Sequence, residues 1–455
     1  MHFLVGGLTI AWAAPTLPRL LAEKSHIRMT PDESSWVVSV LSIGASFSII
    51  PLAYMTKTLG RKINLILSLI PFIVAWLIII FASSVEALYV ARFLGGVAIM
   101  FTFAVVPMYL TEIADVPIRG ILSSLPQLFY NIGAILEFSI IPYVSYTIVG
   151  VISIIFPIVN LLILLFVPES PYFLMLVSKD EEAEKSLMLL RGQSDRLGVQ
   201  QEFISMKKSV EESKTLREAP LKDLFVIKGN RRALILCFVL VGLQQFCGQL
   251  AIVSYTTQIF ENTSSSLNAD LSVIILGCIQ AVVSILLSSM VDRTGRRPLI
   301  LASISGVSIS CLLLGVYFYL ESKTDFDLSP IQWIPMTSLV LYMSSFSLAL
   351  GVLPFTLIGE IFPTNVKGMA ASILMFLHAT SGILTTKLFQ VMTDDIGPDS
   401  PFWMFLAFCL AALIFTAWYL PETKGKTFTD IYEELNEKEY PRRGKMADIM
   451  YSTRL

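Results

Sequence analysis

Long apolar runs separated by short polar breaks dominate this chain. Most are close to the roughly twenty residues that a helix needs to cross the hydrocarbon core of a bilayer. The pattern therefore predicts about twelve transmembrane helices. Their predicted limits are 2–20, 35–56, 63–83, 88–111, 120–140, 143–167, 232–256, 270–291, 298–320, 333–357, 369–391 and 401–420. The first run is short and lacks the basic start of a signal peptide, which leaves open a truncated start or an unusual first helix.

One long polar segment, 169–231, interrupts this pattern after the sixth run. It is rich in Lys, Glu and Asp and has a helical pattern, so we expect short amphipathic helices that cover the inner gate. We therefore expect an N-terminal six-helix bundle over 1–168 and a C-terminal six-helix bundle over 232–420. A tail over 421–455 completes the chain.

Positive charges concentrate in the short loops on one side of the predicted helices. The positive-inside rule places these loops, the insert and the tail in the cytoplasm. The residues concerned are Lys57, Arg61, Lys62, Arg119, Arg293, Arg296, Arg297, Lys367, Lys424 and Lys426. The sequon at Asn262 falls on the opposite side, as an N-glycosylation site requires.

Composition agrees with a chain whose main solvent is lipid. It is 55% hydrophobic and 15% charged, against about 25% charged in soluble proteins, and its mean hydropathy is +0.71. A net charge of -2 argues against a nucleic-acid partner. All five cysteines lie in apolar runs without CxxC spacing, so we expect buried small residues, not disulfides or metal ligands. No Walker, HExxH or GxSxG motif occurs, so we expect no ATP, no metal, no cofactor and no enzyme activity.

Three short signatures occur twice, in the same order. The fourth and tenth runs are followed by TEIADVPIRG (111–120) and GEIFPTNVKG (359–368), and the second and eighth by KTLGRK (57–62) and DRTGRR (292–297). The sixth and twelfth are followed by PESP (168–171) and PETK (421–424). Such a repeat predicts two bundles in parallel orientation, related by an axis along the membrane normal. That arrangement is typical of an alternating-access transporter.

These signatures, with RFLGG (92–96), QQFCGQ (244–249) and PETKGKT (421–427), resemble the sugar porter family of the major facilitator superfamily. PESPYFL and TTKLFQ (385–390) are most similar to insect facilitated trehalose transporter-like proteins. The resemblance covers nearly the whole chain. It implies an all-α membrane protein with the major facilitator fold, two six-helix bundles and a cytoplasmic helical insert.

Charged residues at the cytoplasmic ends of the helices are candidates for a gate. Opposite charges there can pair when the cytoplasmic side is shut and separate when it opens. The resemblance implies that such positions latch the outward-facing state, while topogenic charge and helix capping remain the alternative. The predicted network is Arg61, Arg92, Glu112, Arg119, Glu169, Asp292, Arg296, Arg297, Glu360, Lys367 and Glu422.

The first half departs from the family pattern at three gate positions. Lys57 stands where Asp is usual, Ala53 replaces a Gly, and Tyr172 occupies the place of an Arg. We therefore expect a weaker or rewired gate cluster in that half.

Polar residues inside the apolar runs are candidates for substrate contacts, because they are costly in a bilayer unless they line a cavity. Bonding between helices is the alternative. Gln245 and Gln249 are four residues apart and would share a helix face. By resemblance, the positions that contact sugar are Gln127, Gln244, Gln245 and Gln280.

Several family contacts are changed on the C-terminal side of this predicted site. Leu250 replaces an Asn, Phe355 replaces a Trp, and His378 and Gly382 replace a pair of Asn residues. We expect Phe355 to contact the substrate, and Gln249 and His378 to restore part of the lost hydrogen bonding.

The resemblance also bears on coupling. Proton symporters of the family carry an acid in the first span, at a place that matches the region of Gly6, and this run has none. We expect Glu137 and Lys387 to snorkel to the outer interface. A proton role for Glu137 or His378 is the alternative.

We therefore predict facilitative transport of a sugar, trehalose or a hexose such as glucose, by a monomer in the plasma membrane. The predicted partners are the sugar and the lipid bilayer. Proton-coupled symport is the first alternative. A non-transporting sugar sensor is the second, and the short tail argues against it.

Overall fold

The computed structural model describes residues 1–422 apart from 24, 116–118, 194, 216–220, 262–267, 289–293 and 325–326. These residues form helices joined by short loops, and no strand occurs among them. The predicted all-α class is therefore confirmed. The predicted sequon at Asn262, the acid Asp292 and the tail beyond Glu422 lie outside the described residues.

Seven helices form the N-terminal bundle, since the first predicted span is built from two helices in tandem. They are α1 (His2–Ala11), α2 (Ala13–Leu21), α3 (Pro31–Thr58), α4 (Arg61–Phe81), α5 (Val85–Ile113), α6 (Arg119–Ile140) and α7 (Tyr146–Phe166). The polar segment contains four shorter helices. They are α8 (Pro171–Leu176), α9 (Asp180–Arg191), α10 (Gln200–Thr215) and α11 (Leu221–Val226).

Among the described residues the C-terminal bundle has eight helices, because its first and fourth predicted spans are interrupted. They are α12 (Lys228–Phe246), α13 (Gln249–Glu261), α14 (Ala269–Ser288), α15 (Arg296–Lys323), α16 (Ile334–Ser345), α17 (Leu353–Ile361), α18 (Thr364–Asp395) and α19 (Ser400–Tyr419). A π-helical turn over Phe346–Leu350 separates α16 from α17.

Ten helical stretches of the described chain are long and apolar enough to cross a membrane. The two remaining predicted spans correspond to α6, which has 22 residues, and α14, whose apolar part is Ala269–Ser284. The side of the protein that carries α8–α11 is called the insert side below, and the opposite side the far side.

Small residues allow the N-terminal helices to pack backbone against backbone. A Cβ atom added at Gly7 of α1 would overlap the carbonyl oxygen of Tyr130 on α6, and one at Gly133 would overlap that of Leu4. Gly96 of α5 packs in the same way on α3. Close approach of this kind is how helices associate in lipid, where no hydrophobic force drives them together.

The two bundles meet along three pairs of helices: α3 with α18, α6 with α14, and α2 with α13. Because α2 and α13 are the far-side halves of the first and seventh spans, the contact between them lies toward the far side. The structure is therefore a state in which the far-side halves of the bundles are in contact. The region boundaries at 168, 231 and 420 stay predictions.

The adjacent glycines of α1 offer a matched test of this packing. Gly7→Ala is expected to destabilise the protein by about 2 kcal/mol, since the backbone of Tyr130 cannot yield without moving α6. Gly6→Ala should be neutral or slightly stabilising, because a Cβ there meets nothing within 4 Å. Thermal unfolding of both variants in detergent measures the difference. Equal melting temperatures would contradict the packing described.

Candidate functional site

An amide and an imidazole meet on the inner side of the C-terminal bundle. Nε2 of Gln245 on α12 lies 3.0 Å from Nε2 of His378 on α18. An amide nitrogen can only donate, so the histidine Nε2 accepts and its proton sits on Nδ1. Gln245 Oε1 and His378 Nδ1 are both buried without a hydrogen-bond partner in the structure. The pair therefore presents one free acceptor and one free donor.

Gln244 contributes a second amide to this region. Its Nε2 donates to the carbonyl oxygen of Leu350 at a distance of 2.5 Å, within the π-helical turn. The side chain is 2% exposed, and its Oε1 has no partner. Turns of this type free backbone groups from the regular helical pattern and are frequent at functional sites. The amide nitrogen of Gln244 is thus hydrogen-bonded, while its amide oxygen has no partner.

The Gln245 side chain faces the other bundle across Gly382 of α18. A Cβ atom at Gly382 would lie 3.5 Å from Cδ of Gln245 and 3.0 Å from Oγ of Ser42 on α3. Because Gly382 has no side chain, Gln245 and Ser42 of the opposite bundle approach the same position on α18. The candidate site therefore lies between the two bundles.

An aromatic face accompanies these polar groups. The ring of Phe355 on α17 lies 5.3 Å from the His378 ring, edge to face. Phe355 was predicted to contact substrate, and the structure places it beside His378, another predicted residue.

The prediction that Gln245 and Gln249 share a helix face is wrong. Helix α12 ends at Phe246 and α13 begins at Gln249. Between them Gly248 has a φ of 92°, and the ring of Phe405 occupies the place of its missing side chain. Because the helix is interrupted there, the four-residue spacing no longer aligns the two amides. Gln249 is half-buried at the start of α13.

A second polar group joins the bundles through α6 and α14. Gln127 Nε2 donates to Asn131 Oδ1 at 3.1 Å, and Asn131 Nδ2 donates to Ser284 Oγ at 3.1 Å. Ser284 in turn donates to the backbone carbonyl of Gln280 at 2.8 Å. The predicted residues Gln127 and Gln280 therefore lie on opposite sides of one inter-bundle contact. Asn131 and Ser284, which were not predicted, form the contact itself.

The gate residues of the first half form a compact cluster on the insert side. Arg61 donates through Nη2 and Nε to Glu112 Oε1, at 2.7 and 3.0 Å. Glu169 accepts the backbone N–H groups of Arg61 and Lys62, at 3.0 and 3.1 Å, at the first turn of α4. A carboxylate there satisfies donors that the helix itself leaves free. Gly60, with a φ of 87°, lets the carboxylate approach, because a Cβ there would lie 2.5 Å from Glu169 Oε2.

The second half repeats this arrangement. Arg296 Nη2 lies 3.2 Å from Glu360 Oε1, and Glu422 accepts the N–H groups of Arg296 and Arg297 at 3.0 and 3.2 Å. Gly295 has a φ of 96°, and a Cβ there would lie 2.8 Å from Glu422 Oε2. In each half, the glycine–arginine and proline–glutamate motifs thus act together. The glutamate, far away in the sequence, caps the helix that begins with the arginine.

Each cluster lies within its own bundle, the first in the N-terminal bundle and the second in the C-terminal bundle. The Arg61–Glu112 pair is the shorter and more buried of the two, with side chains 9% and 12% exposed against 21% and 25% for Arg296–Glu360. The expectation of a weaker first cluster is therefore not met by this pair. Neither pair joins the bundles in this state, and both capping carboxylates serve a helix start, so the latch role stays a prediction.

Two further gate residues are only partly described. Lys367 donates to the backbone carbonyl of Gly359 at 2.7 Å, beside Glu360. Arg119 begins α6, but its side chain lies outside the described residues.

Arg92 was wrongly assigned to the gate. It lies on α5 twenty residues before Glu112, which is about 30 Å along the helix. Its side chain is 1% exposed and donates through Nε to the carbonyl of Val37 at 3.1 Å and through Nη1 to that of Thr9 at 2.5 Å. The Trp12 ring lies 5.5 Å from its guanidinium carbon. Arg92 is a core residue that ties α5 to α1 and α3.

Of the two residues expected to snorkel, Glu137 does not, whereas the Lys387 ammonium reaches an exposed carboxylate at the far-side end of α3. Glu137 is 0% exposed and accepts hydrogen bonds from Ser153 Oγ of α7 at 3.1 and 3.3 Å. Lys387 on α18 forms an ion pair with Asp32 at 2.5 Å. Each finds its partner on a neighbouring helix, which hydropathy along one segment does not show.

Helix α9 of the insert contacts the gate region of the first bundle through Arg191 and Ser186. Arg191 Nη1 donates to the carbonyl of Ile113 at 3.0 Å, at the end of α5. Ser186 Oγ donates to the carbonyl of Glu169 at 2.6 Å. The Glu202 carboxylate, hydrogen-bonded to Arg191, raises the pKa of that guanidinium. The predicted insert helices are present, and α9 lies against the first gate cluster.

A family model for sugar (and other) transporters matches residues 13–435. The chain belongs to this sugar transporter family. The facilitated trehalose transporter Tret1 of Polypedilum vanderplanki is 31% identical over 452 residues, which are 99% of this chain and 88% of that protein. The Tret1 proteins of Anopheles gambiae and Drosophila mojavensis are each 30% identical over 95% of this chain. The chain spans only about half of their length, at 54% and 50%.

Solved structures show the same fold. The inward open conformation of the xylose transporter XylE from E. coli has a TM-score of 0.78 and 22% identity, over 95% of this chain and 97% of that one. The proton:xylose symporter XylE bound to 6-bromo-6-deoxy-D-glucose has a TM-score of 0.74 and 22% identity, over 96% and 98%. The family and the major facilitator fold inferred from the motifs are confirmed. The chain is a multi-pass membrane protein of this family.

The capping carboxylates can be tested by their effect on stability. Glu169→Ala is expected to cost about 1 kcal/mol, because two backbone donors at the start of α4 lose their acceptor. Glu182→Ala is the control. It removes a carboxylate from an exposed pair with Lys179, whose side chains are 54% and 57% exposed, and such pairs contribute little. Melting curves in detergent that fall equally for both variants would contradict the capping role.

Proposed function

We propose that this protein is a facilitative carrier that moves a sugar, trehalose or a hexose such as glucose, down its gradient by alternating access. The observation that carries the proposal is the cluster of Gln244, Gln245 and His378. Each of these residues has one buried polar atom without a partner, and Gln245 faces the other bundle across Gly382. A buried polar atom without a partner is costly, so it is expected to meet a ligand that supplies one.

The chemistry of the cluster suits a polyhydroxylated ligand. Each sugar hydroxyl both donates and accepts, so a pair of neighbouring hydroxyls complements the free amide oxygens and the Nδ1–H group of His378. The Phe355 ring beside His378 offers an apolar face to the C–H side of a pyranose. No charged side chain is needed for such a ligand.

Alternating access is supported by how the bundles are built. Each bundle is fastened internally, by glycine packing in the first and by a capped Arg–Glu cluster in both. The contacts between bundles are made by side chains and include hydrogen bonds, as at Asn131 and Ser284. Two units that are firm inside and joined through side chains can rock about a site between them.

Uniport is supported by the environment of Arg92. Among the described residues this buried guanidinium has no carboxylate within 4 Å, and its Nη2 has no partner. A proton-coupled carrier needs an acid that gains and loses its proton during the cycle. Here the first span supplies none near Arg92. The runner-up, proton symport, rests on Glu137, a buried carboxyl that binds Ser153 and not a site residue.

We further propose that the carrier acts as a monomer in the plasma membrane, with the insert and tail in the cytoplasm. The loop charges support this orientation. The proposal is a transporter and not an enzyme, because the candidate site offers hydrogen bonding without a nucleophile beside a base. A sensor that binds sugar without moving it would use the same site.

The binding role is tested by Gln245→Leu, which keeps the volume and removes the amide. Uptake of labelled sugar should fall at least about tenfold, because one ligand hydrogen bond is lost and His378 Nε2 loses its donor. Gln201→Leu, on the exposed surface of α10, is the control. Both variants are compared at equal surface expression in cells without sugar carriers of their own. Wild-type uptake by Gln245→Leu would place the site elsewhere.

Coupling is tested by uptake of labelled trehalose and glucose with and without a protonophore. A uniporter should give saturable uptake that the protonophore leaves unchanged, and Glu137→Gln should not alter its pH profile. Uptake that collapses with the protonophore would establish the symport alternative. Binding of sugar without any flux in reconstituted vesicles would favour the sensor.

A further inference from the structure

A row of polar contacts joins α3 and α18 on the far side of the candidate site. Lys387 Nζ of α18 lies 2.5 Å from Asp32 Oδ1 and 2.8 Å from Ser35 Oγ, both in the first turns of α3. The same ammonium lies 4.7 Å from the centre of the Trp36 ring. Three different interactions therefore converge on one lysine that belongs to the opposite bundle.

The row continues from Lys387 toward the candidate site. Ser39 Oγ and Thr386 Oγ1 are 2.8 Å apart, and both side chains are buried. One turn deeper, Ser42 faces Gly382. Residues 35, 39 and 42 lie on one face of α3, because they are spaced by four and three positions. These residues, Asp32, Ser35, Ser39, Thr386 and Lys387, are called the far-side seam below.

The start of α3 is held in place independently of α18. Thr30 Oγ1 accepts from the backbone N–H of Glu33 at 3.2 Å, and Glu33 Oε2 accepts from that of Thr30 at 2.7 Å. This reciprocal capping box fixes the first turn of the helix. Asp32 and Ser35 are therefore presented to Lys387 by a rigid element.

We propose that the far-side seam is a latch that holds the two bundles together on that side, with Lys387 as the residue that sets how often it opens. The inference rests on the proposed alternating access, in which α3 and α18 must separate for the far side to open. Opening removes all three partners of the ammonium at once. It also frees the Ser39 and Thr386 hydroxyls on the route to the site.

The strength of the latch suits a gate that opens and closes. The Lys387 side chain is 24% exposed and that of Asp32 71% exposed, so solvent screens their attraction. After separation the long lysine side chain can still extend to water. The seam therefore biases the equilibrium toward the closed far side without locking it.

The test measures access to Ser42 from the far side. Ser42→Cys is introduced into a chain with Cys278→Ser, because Cys278 is the exposed native cysteine and the other four are buried. The protein is reconstituted in vesicles, with its orientation read from protease cleavage of the insert. A membrane-impermeant thiol reagent is then added on the far side. Background labelling is taken from the same chain without Ser42→Cys.

Lys387→Met is expected to raise the far-side labelling rate about threefold. Asp32→Asn should give a similar rise, and the double variant should not exceed the larger single effect, since both remove one interaction. Lys323→Met is the matched control, because Lys323 is a far-side lysine that donates to the carbonyl of Ile396 within its own bundle. Its labelling rate should stay at the starting value.

Unchanged labelling in Lys387→Met with an unaltered melting temperature would overturn the proposal. An equal rise with Lys323→Met, or additive rises for the two seam variants, would also overturn it. The assay contains no sugar. A failure of the proposed sugar transport would therefore leave these outcomes readable, and a failure of the latch would leave the sugar site untouched.

Discussion

Polar groups in the spans of this membrane protein have to find partners inside the protein, because the hydrocarbon core of a bilayer offers none. The buried polar residues meet this constraint in different ways. Arg92 and Glu137 are fully buried and hydrogen-bonded to neighbouring helices of their own bundle, although Nη2 of Arg92 has no partner. Gln245 and His378 are bonded to each other, and each keeps one atom without a partner. The first contacts hold a bundle together, while the second pair is the one we propose for the ligand.

The same constraint explains the repeated motifs at the insert side. A helix that begins at the membrane boundary has free N–H groups, and α4 and α15 satisfy them with carboxylates from Glu169 and Glu422. A glycine with positive φ precedes each helix because a side chain there would meet the carboxylate. The arginine that follows binds a glutamate at the end of another helix. Each half thus closes its own cluster, which makes the bundle a firm unit.

The helix contacts within a bundle differ from the contacts between the two bundles. Inside the N-terminal bundle, backbones touch at glycines and leave little room for movement. Between bundles, side-chain contacts such as Asn131–Ser284 and Lys387–Asp32 dominate the polar part of the interface. Such contacts exchange partners readily with water or with sugar hydroxyls. Transport by rocking of two units needs this contrast between a rigid interior and an exchangeable seam.

The spans, the two related halves and the family could be predicted from the sequence. Apolar runs predicted the spans, the repeats predicted two related halves, and the motifs predicted the family, because each depends on local composition or order. The amides Gln244 and Gln245 stood out for the same reason, since a polar residue in an apolar run is visible in one dimension. The contact of Asn131 with Gln127 could also have been predicted, because the two residues are one helical turn apart.

Other features depended on tertiary structure. The break at Gly248, which separates Gln245 from Gln249, arises from a ring of α19 that occupies the place of a side chain. The burial of Arg92, the Glu137–Ser153 contact and the Lys387–Asp32 pair join residues that are 16 to 355 positions apart. Sequence therefore determined what this chain has to bury, and helix packing decided which partners meet, because hydrogen bonds and ion pairs act only over a few ångströms.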